Sequence, residues 1–326
     1  MTDGTTTLRT AIRGFRTGDG PRLVEAWRRS APADPIAPDR FRSLVLLDAN
    51  FDPAGLRVAV EGDRLVGAAY AVRRLTPVTG TGLEPEQGWI PFFFVDPAAR
   101  GRGLGRRLLT DALDWLHGHG RTRVDFASYT PNYVLPGLDA EAYPEAARLL
   151  ESLGFRTLYE AAAMDRRLVG YRVPDDVVCL AGELAARGYR FATPADDDLV
   201  ELVALARDRF TPDWARAIRE CLAAGTPLDR IVVARDPSGR LAGWAMHGAY
   251  ESADERFGPF GVLEEMRGSG LGKVLLHLVL ERMRARGAHS AWFLWTGERS
   301  PAGHLYRKAG FTTTRVFRVL RREAAR

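Results

Sequence analysis

The chain has 326 residues, 46% of them hydrophobic and 27% charged, and two cysteines, which excludes a disordered polymer and a disulfide scaffold. Its net charge of +5 would suit nucleic acid, but the arginines are scattered along the whole chain, so we expect no nucleic-acid partner. Without an apolar run of roughly 18–20 residues, or a signal peptide in residues 1–5, we expect a cytoplasmic protein with no membrane partner.

The first half alternates helices and strands in a way that predicts a mixed α/β domain. In chain order we expect a helix at 22–29, hairpin strands at 56–60 and 65–72, a strand at 90–95, a helix from 104 to 118, a strand at 124–127 and a helix at 146–153. Gly154 and Phe155 follow the last helix, where glycine supplies a left-handed cap.

The second half repeats this order. We expect a helix at 199–207, strands at 231–234, 241–246 and 260–263, a helix beginning at 271, a strand at 291–294, a helix at 302–309 and a closing strand at 316–320. An offset of 167 residues relates the glycine-rich loops 95–105 and 262–272. The predicted fold class is therefore α/β, with two tandem domains at 1–170 and 171–326, each a central mixed sheet flanked by helices.

Both glycine-rich loops lie between a strand and a helix N-terminus, an arrangement that binds anions. Backbone N–H groups can approach phosphate oxygens closely there, and loop arginines can pair with phosphate. Neither loop has the Lys-Ser/Thr pair of a P-loop, and Arg106 stands where the dinucleotide-binding fingerprint requires glycine. A small polyanion held at one place is the expected ligand.

The remaining pattern, Arg-x-x-Gly-x-Gly at 100–105 and again at 267–272, resembles the signature of the GNAT superfamily of acyl-CoA-dependent N-acyltransferases. The tandem layout is similar to that of its two-domain members. The resemblance covers nearly the whole chain and implies acetyl-CoA as co-substrate, no metal, and a small-molecule primary amine as acceptor.

The resemblance also implies which residues hold the coenzyme. Loop N–H groups would bind the pyrophosphate, and strand backbone would pair with pantetheine and stabilise the oxyanion of acyl transfer. The residues concerned are Phe94, Val95, Arg100, Arg102, Gly103, Gly105 and Arg106 in the first half, and Gly261, Val262, Arg267, Ser269, Gly270, Gly272 and Lys273 in the second.

The two halves differ at the expected proton donor. Tyr306 matches the family segment Leu-Tyr-x-x-x-Gly-Phe and would protonate the leaving thiolate, with Glu298 as a candidate base. In the first half Leu150 stands at the tyrosine position, and 11 extra residues lie within 128–145. We therefore expect the second half to be catalytic, and the first to be degenerate or to carry substitute groups.

Two alternatives stay open at this point. The chain could be a non-catalytic acyl-CoA-binding or scaffold protein, or an enzyme whose active half is the N-terminal one.

Overall fold

The computed structural model describes residues 10–323, so residues 1–5, on which the signal-peptide prediction depends, lie outside it. The chain forms two compact units. Within the described part, unit 1 comprises 10–77, 82–161 and 317–323, and unit 2 comprises 78–81 and 162–316. None of the described helices combines the length and the apolar character needed to span a bilayer.

Unit 1 contains the elements of the first half of the sequence. They are β1 (Ala11–Gly14), α1 (Asp19–Ser30), α2 (Pro38–Phe41), β2 (Leu56–Glu61), β3 (Arg64–Arg73), β4 (Gln87–Val95), α3 (Leu104–Gly118), β5 (Arg123–Phe126), α4 (Pro144–Ser152) and the start of β6 (Arg156–Arg167). Strands β1 to β4 are antiparallel neighbours, and β4 pairs with β5 in parallel. The sheet is therefore mixed.

Helices cover both faces of this sheet. Trp27 of α1 packs on Phe92 and Phe94 of β4 on one face. On the other face, α3 buries the six apolar positions that define its periodicity, which are Leu104, Leu108, Leu109, Ala112, Leu113 and Leu116. Gly103, with φ of 72°, begins α3 in the left-handed conformation that favours glycine. The glycine loop is thereby fixed at the start of a buried helix.

Unit 2 repeats these elements and adds others. It contains α5 (Asp175–Ala186), β7 (Arg190–Ala192), α6 (Asp198–Arg209), α7 (Pro212–Ala223), β8 (Ile231–Arg235), β9 (Leu241–His247), β10 (Phe257–Val262), α8 (Leu271–Ala285), β11 (Ser290–Thr296), α9 (Pro301–Lys308) and the start of β12 (Thr312–Glu323). Strands β7 to β10 form one antiparallel sheet, and residues 162–167 of β6 pair with β11.

The predicted α/β class with two similar domains is confirmed, and most predicted elements lie within observed ones to within one residue. The predicted closing strand at 316–320 is present within β12 (Thr312–Glu323), and its pairing is what the sequence did not indicate. Residues 317–323, from the end of the sequence, belong to unit 1, where Leu320 lies opposite Phe126 of β5. As sequence halves, 1–170 and 171–326 stay a prediction.

Candidate active site

The candidate site of unit 1 lies where two parallel strands diverge. Strands β4 and β5 pair only from Gln87 opposite Arg123 to Ile90 opposite Phe126. The last hydrogen bond joins the Ala127 N–H to the Ile90 carbonyl, at 3.0 Å. Beyond it β4 continues to Val95 while β5 has ended, so one backbone edge of β4 has no strand beside it.

A β-bulge in β4 sets the direction of the backbone N–H groups along that free edge. Between Trp89 and Phe92, β4 has one more residue than β3 has between Val72 and Tyr70. The Asp96 N–H donates to Val66 of β3 at 2.9 Å. Because N–H directions alternate along a strand, the N–H groups of Phe93 and Val95 point away from β3, toward the gap that β5 leaves.

A cavity of about 380 Å³ occupies the gap. Phe92 to Val95 of β4 and Phe126 of β5 line one part of it, and the glycine loop with the start of α3 lines another. Its remaining walls come from the end of α1, from α4 and from the extra segment before α4. The walls are mostly apolar, with the acidic residues Asp34, Asp139 and Glu145 among those that line them.

Asp96 anchors the glycine loop where it leaves β4. It is 2% exposed, accepts the Ala98 N–H at 3.1 Å, and forms ion pairs with Arg29 and Arg64 at 3.0 Å each. Burial alone would raise the pKa of Asp96, but these donors outweigh burial and lower it. The carboxylate therefore stays charged and holds the loop in place.

The loop glycines are open to a ligand. Gly101 and Gly103 have φ of 76° and 72°, and a Cβ placed on either would meet nothing within 4 Å. The first helical turn leaves N–H groups without intrahelical acceptors, and the residues of that turn, Gly103 to Arg106, line the cavity. The loop of unit 1 thus has the geometry of an anion site.

The arginines of this loop mostly hold the fold together. Arg100 donates to the carbonyls of Val95 at 3.1 Å and Ser30 at 2.8 Å. Arg102 pairs with Glu61 at 3.2 Å and donates to the Ala98 carbonyl. Arg106 is exposed, lines the cavity and donates to the Ser152 hydroxyl at 2.7 Å. Of these three, Arg106 is the best placed to meet an anion.

The extra segment of the first half forms a wall of the cavity. Leu138 exchanges two backbone hydrogen bonds with Arg318 of β12, both of 2.8 Å, and a Cβ on Gly137 would lie 2.8 Å from Phe317 Cβ. The Asp139 carboxylate accepts the N–H groups of Glu141 and Ala142, both at 3.0 Å. The extra segment is therefore a wall of the cavity that is held by backbone hydrogen bonds and close packing.

Unit 2 repeats the bulged strand. Between Phe257 and Phe260, β10 has one more residue than β9 has between Ala245 and His247. Gly261 and Val262 follow the bulge as Phe94 and Val95 do in unit 1. The strand that carries the predicted backbone contacts is thus present in both units.

The glycine loop of unit 2 differs at Gly270 and Lys273, which side chains of α5 approach, although Gly268 has open space as Gly101 does. A Cβ on Gly270 would lie 2.8 Å from Leu180 Cδ2, although its counterpart Gly103 has open space. Lys273, the counterpart of Arg106, forms an ion pair with Asp176 of α5. Ser269 donates its hydroxyl to the Met266 carbonyl at 2.6 Å, and Arg267 pairs with Glu264 at 3.3 Å.

Tyr306 lies in an aromatic cluster. It is 7% exposed, and its ring centroid is 4.5 Å from that of Phe293, 5.7 Å from Phe311 and 5.9 Å from Phe257. Burial raises the pKa of Tyr306 above its ordinary value. The environment therefore favours a neutral side chain that packs, and disfavours proton release.

Glu298 lies on the surface after β11. Its carboxylate accepts the Thr313 hydroxyl at 2.9 Å, and its carbonyl accepts a hydrogen bond from Arg307 at 2.7 Å. These contacts are local, and the Glu298 side chain stays exposed.

The sequence did not lead us to predict α5, and we therefore did not expect a helix to pack against the second loop. The signal was present, because Pro174, Asp175 and Asp176 begin a segment whose apolar residues recur at 177, 180, 181 and 184. Sequence reasoning also left open whether the insertion faces a pocket, which the structure answers for Leu138, Asp139 and Tyr143.

The sheet, the diverging strands and the glycine loops define an acyltransferase of the GCN5-related class. The profile of the Acetyltransferase (GNAT) family matches residues 21–135 and 199–311, so the chain belongs to this family and contains its domain twice. The predicted resemblance and enzyme class are thereby confirmed.

Relatives and solved structures agree over almost the full length. The chain is 29% identical to a mycothiol acetyltransferase of Clavibacter michiganensis subsp. michiganensis, over 90% of this chain and 88% of that one. A GCN5-related N-acetyltransferase from Sphaerobacter thermophilus aligns with a TM-score of 0.70 at 19% identity, covering 96% and 95% of the two chains. A tandem GNAT protein from the clavulanic acid pathway aligns with 0.64 at 17% identity, covering 98% and 99%.

Proposed function

We propose that this protein transfers the acetyl group of acetyl-CoA to a primary amine of a small molecule, and that the coenzyme binds in the cavity of unit 1. The observation that supports the proposal most is a difference between the two glycine-rich loops, which share one sequence pattern. Gly103 borders open space, whereas Gly270 lies against Leu180. Family membership supports the reaction class, and this contrast supports the choice of half.

The unit 1 loop supplies what a pyrophosphate requires. The N–H groups from 102 to 106 lie in the loop and the first turn of α3, where the helix dipole favours negative charge, and Arg106 adds a positive side chain. Backbone groups of Phe93 and Val95 would pair with the pantetheine arm. One of their N–H groups would hold the oxyanion as the amine attacks the thioester carbon.

We expect the acceptor to be an amine that is protonated, and therefore positively charged, before it reacts. Three acidic side chains, Asp34, Asp139 and Glu145, line a cavity whose other walls are largely apolar. Carboxylates attract an ammonium group, and a neighbouring one can take its proton before attack. The amine that mycothiol acetyltransferases acetylate is one candidate, because a curated relative carries that name.

A second candidate function is coenzyme binding without catalysis, favoured by Leu150 in unit 1 and by the packed Tyr306 in unit 2. The assignment of catalysis to Tyr306 and Glu298 stays a prediction.

The experiment is a thiol-release assay with acetyl-CoA and a panel of small amines. We expect turnover by the wild type, and Arg106→Glu should raise the KM for acetyl-CoA about tenfold or more, because it places a carboxylate beside the pyrophosphate. Lys273→Glu is the matched control at the same position of the second loop, and its KM should stay within about twofold of wild type.

The alternatives give different results. Binding of acetyl-CoA without turnover of any amine would support the non-catalytic function. A KM that responds to Lys273→Glu and ignores Arg106→Glu would place the coenzyme in unit 2 and restore Tyr306 as the expected donor.

A further inference from the structure

The end of α1 and the turn after it form one wall of the unit 1 cavity. Four residues of this α1 wall line the cavity, and they are Trp27, Ser30, Ala31 and Asp34. Under the proposed function, the coenzyme pairs with the free edge of β4, which lines another part of the cavity. The amine must come within bonding reach of the thioester carbon, so the rate of transfer depends on how the α1 wall and the β4 edge are held relative to each other.

Two arginines join the α1 wall to the end of β4. Arg29 of α1 forms an ion pair with Asp96 at 3.0 Å, where the chain leaves β4. In the other direction, Nη2 of Arg100 in the glycine loop donates to the carbonyl of Ser30, the last residue of α1, at 2.8 Å. Each of the two segments thus supplies an arginine to the other.

The Arg100 guanidinium also holds β4 itself. Its Nε donates to the Val95 carbonyl at 3.1 Å, and a guanidinium presents its donors in a fixed planar fork. In a strand the N–H and the carbonyl of one residue point to the same side, so the Val95 carbonyl lies on the edge with which the coenzyme would pair. One side chain therefore fixes the Ser30 and Val95 carbonyls relative to each other.

The contact with Ser30 also completes α1. The last carbonyls of a helix have no intrahelical donor, and the helix dipole favours a positive group beside them. The Ser30 hydroxyl does not serve this carbonyl, because it donates to the Ala26 carbonyl at 2.7 Å. Arg100 therefore caps the helix that forms the α1 wall.

The corresponding residues of unit 2 differ. Leu263 stands where unit 1 has Asp96, and it offers no carboxylate to an arginine. Arg267, the counterpart of Arg100, forms an ion pair with Glu264, three residues before it, at 3.3 Å. The glycine motif by itself therefore does not produce the link, which in unit 1 depends on Asp96 and on the end of α1.

We propose that Arg100 is a positioning residue for acyl transfer in unit 1, an inference that rests on the proposed function. It sets the separation between the α1 wall and the β4 edge, and thereby the approach of the amine to the thioester. This role differs from the pyrophosphate contact that the family resemblance implies for Arg100, and experiment can separate the two.

The test compares Arg100→Lys with the wild type and with Arg28→Lys, the same substitution at an exposed position of α1. Lysine keeps the positive charge but is a point donor, so it cannot serve both carbonyls in the geometry of the fork. For Arg100→Lys we expect kcat to fall about tenfold with the panel amine that the wild type acetylates fastest, and the Kd for acetyl-CoA to stay within about twofold. Arg28→Lys should keep both values.

Arg100→Gln separates positioning from anion binding, because it removes the charge as well as the fork. Positioning predicts that its kcat falls as in Arg100→Lys, with the Kd for acetyl-CoA again little changed. Wild-type kcat in Arg100→Lys, together with a Kd about tenfold weaker in Arg100→Gln, would assign Arg100 to the pyrophosphate and overturn the inference.

A second measurement needs no acceptor amine. Hydrogen exchange of the α1 amides is followed with and without saturating acetyl-CoA, including the Ala31 N–H, which donates to the Trp27 carbonyl at 2.8 Å. Because Arg100 joins the coenzyme loop to Ser30, acetyl-CoA should slow exchange at this helix end, and Arg100→Lys should reduce the slowing at least about twofold. A merely structural role would change exchange equally with and without the coenzyme.

The outcomes separate this inference from the proposed function. Wild-type kcat in Arg100→Lys, or undiminished slowing of exchange, would overturn the inference and leave the proposed function standing. Failure of the wild type to bind acetyl-CoA would overturn both. Binding without turnover would overturn the proposed function alone, and the exchange measurement would then decide whether Arg100 couples the coenzyme to α1.

Discussion

At the scale of single residues, two copies of one motif have different surroundings. Arg106 and Lys273 stand at equivalent positions, yet Arg106 lines a cavity and Lys273 pairs with Asp176. The sequence could locate both loops because glycine spacing is a local signal. It could not rank them, because the difference depends on a side chain, Leu180, that lies 90 residues before Gly270.

A buried histidine gives unit 2 a pH-dependent stability. His277 of α8 is 4% exposed, and its Nδ1 lies 2.7 Å from the Tyr171 hydroxyl. Burial, together with the charges of Arg166 and Lys273, lowers the pKa of His277 to about 4. An unfolded histidine has a pKa near 6.5, so between these values the unfolded chain takes up a proton that the folded chain does not.

His277 should therefore stabilise the fold above about pH 6.5 and lose that contribution as the pH falls toward 4, by at most about 1.4 kcal/mol per pH unit. We expect urea unfolding of His277→Gln to show a smaller loss of stability between pH 6.5 and 4.5 than the wild type. His119→Gln, at an exposed position of unit 1, should keep the wild-type slope. Equal slopes for wild type and His277→Gln would refute this account.

At the scale of elements, periodicity located the helices and strands that repeat, because each buries an apolar face against its own sheet. Helix α5 has the same kind of pattern but no counterpart in the described part of the first half, so comparison of the halves gave no reason to expect it. Its contact with the second loop is a close approach between Leu180 and Gly270, which has φ of 91°.

A double-mutant cycle measures that contact. Gly270→Ala should destabilise the protein more than Gly103→Ala, since both carry the strain of a left-handed conformation, roughly 1–2 kcal/mol, and Gly270→Ala also collides with Leu180. Truncation in Leu180→Ala removes the collision, so the double variant should show a favourable coupling of about 1 kcal/mol in unfolding free energy. If the effects of the two substitutions on the unfolding free energy are additive, α5 is not in close contact with the loop.

At the scale of the whole molecule, the sequence repeat and the compact units coincide except at residues 78–81 and at the closing strands. Residues 162–167 pair with β11 in unit 2, and residues 317–323 pair with β5 in unit 1. Phe317, Val319 and Leu320 are at most 2% exposed, and Arg321 holds Asp125 at 2.7 Å. Strand pairing between distant segments leaves little local signal, which is why order along the chain could not predict it.

The position of the closing strands also explains why the cavity could not be predicted from the sequence. Its wall at Gly137 and Leu138 packs on Phe317 and Arg318, so residues from the far end of the chain support it. Residue types predicted the anion loop and the strand that precedes it. The cavity itself depends on where an insertion and a closing strand meet.

The central claim is that only the unit 1 loop accepts acetyl-CoA, and calorimetric titration of the full-length chain tests it most directly. We predict one molecule of acetyl-CoA bound per chain, with an affinity about tenfold or more weaker in Arg106→Glu and unchanged in Lys273→Glu. Two molecules per chain, or one whose affinity falls only in Lys273→Glu, would contradict the claim.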